Sequence, residues 1–281
     1  MSASVDGMAL GAVSLLCAWV LRRRMDGTPL TCRHALQLTL LCLLTVACKM
    51  IYTPFILVAA AIPAKQWRIK GGKATALSLS WGITAALSLG WLAVCYLRYV
   101  QGQALTEGSS GVGTILPQLQ YMLAHPLTFF ITILRTVAAR LVSWVHTMLG
   151  SGLSALNITL PLPVLLVQAI GLLTVWLADT ALPAHGHRLP RWLMPVCGVL
   201  SVLVMLCGLY AWWNPYQASL IEGLQGRYLL PLLMPVLLAV RVRPNDLLLK
   251  RITPGTLSPA ALCLMLPSAL CAILRVWACC L

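Results

Sequence analysis

Long apolar runs, separated by short loops rich in arginine and lysine, constrain this chain more than any other feature. With 60% hydrophobic and 9% charged residues, it lies far from the roughly 25% charged residues of soluble domains. A water-surrounded core could not cover so much apolar surface, so the solvent must be lipid. In lipid the backbone must satisfy its own hydrogen bonds, which favours helices. The expected fold class is all-α: a polytopic helical membrane protein with roughly 7–8 transmembrane or half-membrane helices plus one amphipathic interfacial helix. It reads as a single membrane domain over its 281 residues, with no soluble domain, internal repeat or low-complexity linker.

The formal charge of +14 does not point to nucleic acid. The basic residues lie in brief loops and form no basic face or aromatic-interleaved groove. They read as topology determinants that also attract anionic headgroups of membrane lipid. The eleven cysteines mostly sit inside apolar runs without CxxC or other metal-ligand spacing, so they read as small buried hydrophobes. No metal and no cofactor are expected. A signal peptide has basic residues before its apolar core; here Arg22, Arg23 and Arg24 follow it.

The first apolar run, residues 8–21, reaches spanning length only when extended back past Asp6. The basic loop after it should be cytoplasmic, leaving the N-terminus outside. The run 34–63 is too long for one span and carries Lys49 and Pro54 at its middle. One straight helix would put the lysine near the bilayer centre, at about 2.5–3.5 kcal/mol. It would also interrupt the helix at the proline. A hairpin of two short helices avoids both, with Lys49 at the outer headgroups and loop 64–74 returning inside. Residues 74–99 form a span with Trp81 and Trp91, and loop 100–117 lies outside. Within 118–149, Thr128, Thr132, Arg135, Thr136, Arg140, Ser143 and Thr147 make one polar stripe from Pro126 onward. With every basic loop inside, that helix makes no net crossing; in the rival topology 34–63 and 118–149 each cross once and the basic loop 64–74 lies outside. The striped helix lies in the outer interface or faces a polar cavity. Residues 160–182, 192–213, 228–240 and 257–281 are further spans, with basic inner loops at 183–191 and 241–251. The pair His185 and His187 lacks further ligands at metal spacing.

One stretch differs from all others: Trp212-Trp213-Asn214-Pro215-Tyr216, then Glu222-Gly223-Leu224-Gln225-Gly226-Arg227-Tyr228. Two readings stay open. It is a loop held by a local Glu222–Arg227 ion pair and anchored by interfacial aromatics. Or it is an outer-face pocket in which Gly223 and Gly226 let backbone approach a ligand and Arg227 grips a phosphate. On the outer side only Asp6, Glu107 and Glu222 could act as acid or base.

The run from Gly223 through Gln225-Gly226-Arg227-Tyr228 to Leu233, with Trp213-Asn214-Pro215 before it, resembles the C-terminal signature of the bacterial family called domain of unknown function 2142. Lys49-Met50-Ile51-Tyr52-Thr53-Pro54 with Ile62-Pro63 is similar to its Lys-Pro-Pro-Tyr-x-Pro segment, with Met50-Ile51 where the family usually has prolines. Residues 2–7 resemble its Ser-x-Asp segment, which assigns Asp6. Gln118, His125-Pro126, Gly150-Ser151-Gly152 and Pro161 fit its middle. The family in turn resembles the GT-C glycosyltransferases, which use polyprenyl-phosphate-linked sugars on the outer face. The resemblance implies a bacterial inner-membrane protein handling such lipids in cell-envelope glycan assembly. Arg227 would hold phosphate, and Gln225 and Glu222 sugar hydroxyls. Arg135 and Arg140 would border the lipid phosphate, and Tyr228, Asp6 and Lys49 would complete the substrate-binding set. Nothing matches the GT-C catalytic outer loop, so the catalytic residue is unassigned. The chain is expected to be the C-terminal portion of a GT-C-like fold, partnered by a missing N-terminal half or another membrane protein. The alternative is a non-catalytic subunit or a lipid-linked-substrate transporter.

Overall fold

The computed structural model describes residues 5–104, 115–149, 160–178 and 192–239, and these are helical throughout apart from short connections. Four of the described helices are long and apolar enough to cross a membrane: α1 (Val5–Asp26), the Gly72–Arg98 part of α3 (Gly72–Ala104), α5 (Pro126–Met148) and α7 (Leu193–Trp212). Shorter helices accompany them: α2 (Cys32–Cys48), a 3₁₀ helix (Met50–Ala61), α4 (Ile115–Ala124), α6 (Leu162–Ala178) and α8 (Leu230–Ala239). The expected loop 241–251, the last span at 257–281 and the loop at 183–191 lie outside the described residues.

The awkward run 34–63 folds as two helices that meet at Lys49. This residue is extended (φ −158°, ψ 124°) and ends α2. The chain then returns as a 3₁₀ helix containing Pro54, which has no N–H to give and so fits poorly inside an α-helix. Length explains the unusual arm. Seventeen α-residues rise about 26 Å and twelve 3₁₀ residues about 24 Å, whereas twelve α-residues would reach only about 18 Å. The matched arms bring the chain back to its start: Leu30 N–H donates to the Gln66 carbonyl (2.6 Å) and Arg68 N–H to the Leu30 carbonyl (2.8 Å). At that end Arg24 donates to the Ala61 carbonyl and Lys73 Nζ to the Ala60 carbonyl (2.7 Å), so cations satisfy the last 3₁₀ carbonyls.

Two expectations change. The segment 100–117 is not all loop: α3 continues to Ala104 and α4 begins at Ile115. Gly102 alone costs about 1 kcal/mol in a helix already propagated for thirty residues, too little to end it. Residues 118–149 hold a second helix before the striped one. They belong to two helices around His125, and α5, with 23 residues, has spanning length.

The described residues fall into two compact units. The first takes those within Met1–Ala139, His187–Leu224 and Pro231–Ala239; the second takes those within Arg140–Gly186 and Gln225–Leu230. In the first, α2 packs on both α1 and α3, and α7 packs along the 3₁₀ helix. Its fully buried side chains include Leu16 and Cys17 of α1, Leu38 and Cys42 of α2, Tyr52 and Phe55 of the 3₁₀ helix, and Tyr210 of α7. Helices in lipid gain nothing from apolar transfer, so close packing through small residues and interhelical hydrogen bonds carries association. Ala9, Ala12 and Ala59 are buried accordingly, and the Thr39 and Ser80 hydroxyls pair across α2 and α3 at 2.8 Å. Leu87, Leu89 and Trp91 of α3 are each more than half exposed, as a lipid-facing surface requires.

Candidate functional site

The turn that follows α7 is built by neutral side chains acting on backbone. Asn214 donates through Nδ2 to the carbonyls of Leu209 (2.9 Å) and Glu222 (3.1 Å). Its Oδ1 accepts the Glu222 N–H at 2.8 Å. One side-chain amide thus pairs with the backbone of Glu222 as a second peptide would. Gln118 of α4, 1% exposed, does similar work. It donates to the Tyr210 and Pro215 carbonyls (3.1 and 3.3 Å) and accepts the Gln217 N–H (3.1 Å). The hydroxyl of Thr136 accepts the buried Ile221 N–H at 3.0 Å. Tyr121 meets Tyr216 edge-on at 5.9 Å, and Phe129 meets Tyr210 at 5.0 Å. The Glu222 side chain is exposed on this framework.

In the second unit, Gly226–Leu229 forms a short 3₁₀ turn, closed by the Tyr228 N–H on the Gln225 carbonyl (3.0 Å). Gly226 N–H donates to the Thr147 hydroxyl at 3.0 Å. A Cβ at Gly226 would overlap the Trp144 carbonyl, the Met148 amide and the Thr147 hydroxyl. The Arg227 guanidinium lies 5.4 Å from the centre of the Tyr228 ring, in cation–π range. Gln225 Oε1 is buried and has no hydrogen-bond partner among the described residues.

These contacts add structural roles to two features of the sequence. Both glycines are required by packing within the protein. Gly223 has φ 97°, and its α-carbon faces Trp213, whose Cδ1 would sit 2.9 Å from an added Cβ. Gly226 faces the α5 backbone. The polar stripe of α5 also splits by role. Thr136 is buried, and Thr136 and Thr147 hold backbone N–H groups. Arg135 is exposed and Arg140 half-buried.

Asp6 and Lys49 come together as an ion pair joining the start of α1 to the break after α2, with side chains 19% and 24% exposed. Arg227 and Tyr228 come together by stacking. Glu107, His185 and His187 lie outside the described residues. Among the described residues no group of three His, Cys, Asp or Glu is placed to hold a metal ion. Sequence reasoning gave no role to Asn214, Gln118 or Thr147 in shaping the turn. A signal was present: an amide or hydroxyl in apolar surroundings must find partners, and the nearest unsatisfied groups are those of a proline- and glycine-rich turn.

Comparison with known proteins gives one match. The model of the family described as Predicted membrane protein (DUF2142) matches residues 1–236. No curated protein matches the chain, and no solved structure matches it.

Proposed function

Because the chain belongs to the DUF2142 family of predicted membrane proteins, we propose that this multi-pass protein binds polyprenyl-phosphate-linked sugars in cell-envelope glycan assembly. The site is the Gln225–Tyr228 turn. One observation carries the reading: Gln225 presents a buried Oε1 without a hydrogen-bond partner among the described residues, two residues from a guanidinium. A buried acceptor left unmatched calls for a donor from outside the fold, and a sugar hydroxyl is one. Arg227, steadied over Tyr228, has the planar fork that suits a phosphate. Arg135, exposed on α5, meets lipid phosphate at the membrane surface. This is a binding role in a GT-C-like component, and no residue is assigned to bond cleavage. Asp6 is taken up in an ion pair with Lys49 that joins α1 to the break after α2, a structural use. That observation favours the second reading, a non-catalytic subunit delivering lipid-linked substrate.

The test is co-purification. Wild-type protein extracted from its native membrane should carry a polyprenyl-phosphate sugar detectable by mass spectrometry of bound lipid. Arg227→Ala should lose it while inserting into the membrane at the same level. Equal recovery of the lipid with both proteins would remove Arg227 from the site.

A further inference from the structure

Positive charge gathers at one end of the first unit. Residues 22–34 carry four arginines, and residues 64–73 carry four more Lys and Arg residues. One carboxylate, Asp26, stands against them, and Arg22 takes it up at 3.5 Å. The two stretches meet at Leu30, which donates to the Gln66 carbonyl and accepts the Arg68 N–H. Arg23 of α1 and Arg33 of α2 both act electrostatically on His34, so their guanidinium groups converge on the start of α2. Arg33 and Arg68 are exposed and Arg23 is half-buried. This charge falls at the end of a helix that suits it least. The start of a helix carries partial positive charge from its unpaired N–H groups and favours an anion. The first turn of α2 holds Arg33 and no acidic residue. Two buried donors at this end also lack an acceptor among the described residues: Arg23 Nε–H and the Nε1–H of Trp67, a residue 6% exposed. We propose that the start of α2, ringed by Arg33, Arg23 and Arg68, binds the phosphate of an anionic phospholipid.

Charge and position select this occupant. A phosphate brings negative charge and several acceptor oxygens, and the guanidinium fork matches them. Buried donors without partners call for such acceptors. A lipid is the source because these cations lie in short connections between membrane helices, the level at which headgroups lie. Arg23 lies over the Trp19 ring at 5.6 Å, and an aromatic ring beside a long cation is the usual pairing at that level. A zwitterionic headgroup fits less well, because the surrounding cations repel its ammonium. The site lies in the first unit alone and uses no residue of the Gln225–Tyr228 turn, so its test stands apart from that of the sugar-phosphate reading.

The test is a lipid titration of the full chain in a neutral maltoside detergent, with bound lipid counted by native mass spectrometry. The probes are dioleoyl phosphatidylglycerol, dioleoyl phosphatidylcholine and, as a free phosphate, glycerol phosphate. Phosphatidylglycerol should bind about tenfold more tightly than phosphatidylcholine, and glycerol phosphate should not displace it. Arg33→Gln and Arg68→Gln should each weaken phosphatidylglycerol binding about fivefold, the share of one cation near a lipid headgroup. Arg33→Lys should keep most of the affinity. Arg98→Gln, which removes an exposed cation near the far end of α3, should change nothing. Both exposed arginines leave the thermal unfolding midpoint close to that of the parent when replaced, so weaker binding reports the site. Equal binding of the two lipids by the wild type would overturn the proposal. So would displacement by glycerol phosphate, unchanged affinity in Arg33→Gln and Arg68→Gln, or an equal loss in Arg98→Gln.

Discussion

Two polar clusters interrupt the apolar chain, and they are built on opposite principles. At the Lys49 break, one charged side chain answers another: the ammonium meets Asp6 across 43 residues of sequence. In the turn after α7, neutral groups do the holding. Asn214, Gln118, Thr136 and Thr147 occupy backbone N–H and carbonyl groups. These neutral contacts run to the backbone on both sides of Glu222. The comparison sets a charge pair that joins two helices beside neutral groups that hold a backbone turn. It predicts that the break and the turn respond differently to substitution.

The largest expected effect tests how rigidly the turn is seated. Gly226→Ala places a methyl group against the α5 backbone, which cannot yield without moving the helix. The expected cost is about 3 kcal/mol or more, read as a fall in the thermal unfolding midpoint of the purified protein. A variant as stable as its parent would show that the turn rests loosely on α5.

Next in size is the ion pair. Asp6→Asn and Lys49→Met should each destabilise by roughly 1–3 kcal/mol, because each strands a half-buried charge. The double variant should lose less than the sum, with a coupling of about 1 kcal/mol. Strict additivity would mean that the two groups do not support each other. The smallest effect belongs to Arg135. Being exposed, it should change stability by no more than about 0.5 kcal/mol on substitution by alanine. A large loss would place it among the residues that hold the fold.

Much of the architecture was legible in the residues themselves. The helical membrane class follows from the apolar runs. The reversal at Lys49 follows from a lysine and a proline in mid-run, since neither fits a straight buried helix. The 3₁₀ form of the returning arm was not legible, because it arises from matching two arm lengths and no local propensity signals it. At the turn, the residue cluster could be seen but the purpose of its glycines could not. Gly226 is explained by Thr147, 79 residues away, and the role of Gln118 by Gln217, 99 residues away. Such contacts leave no mark in a local pattern. The stripe on α5 read as one surface for the same reason. Only the partners of Thr136 and Thr147 separate its structural hydroxyls from its exposed arginine.

The claim that the turn presents a lipid-phosphate sugar site is tested most directly by titrating the full chain in lipid nanodiscs with a polyprenyl-phosphate sugar. Wild type is compared with Arg227→Ala and Gln225→Ala. Loss of a charge-assisted contact worth about 1.5–3 kcal/mol should weaken binding roughly 10–100-fold for Arg227→Ala. Loss of the Gln225 acceptor should weaken it about fivefold, as one neutral hydrogen bond does. All three proteins should unfold at the same temperature. Equal affinity across the three, with the fold intact, would contradict the account.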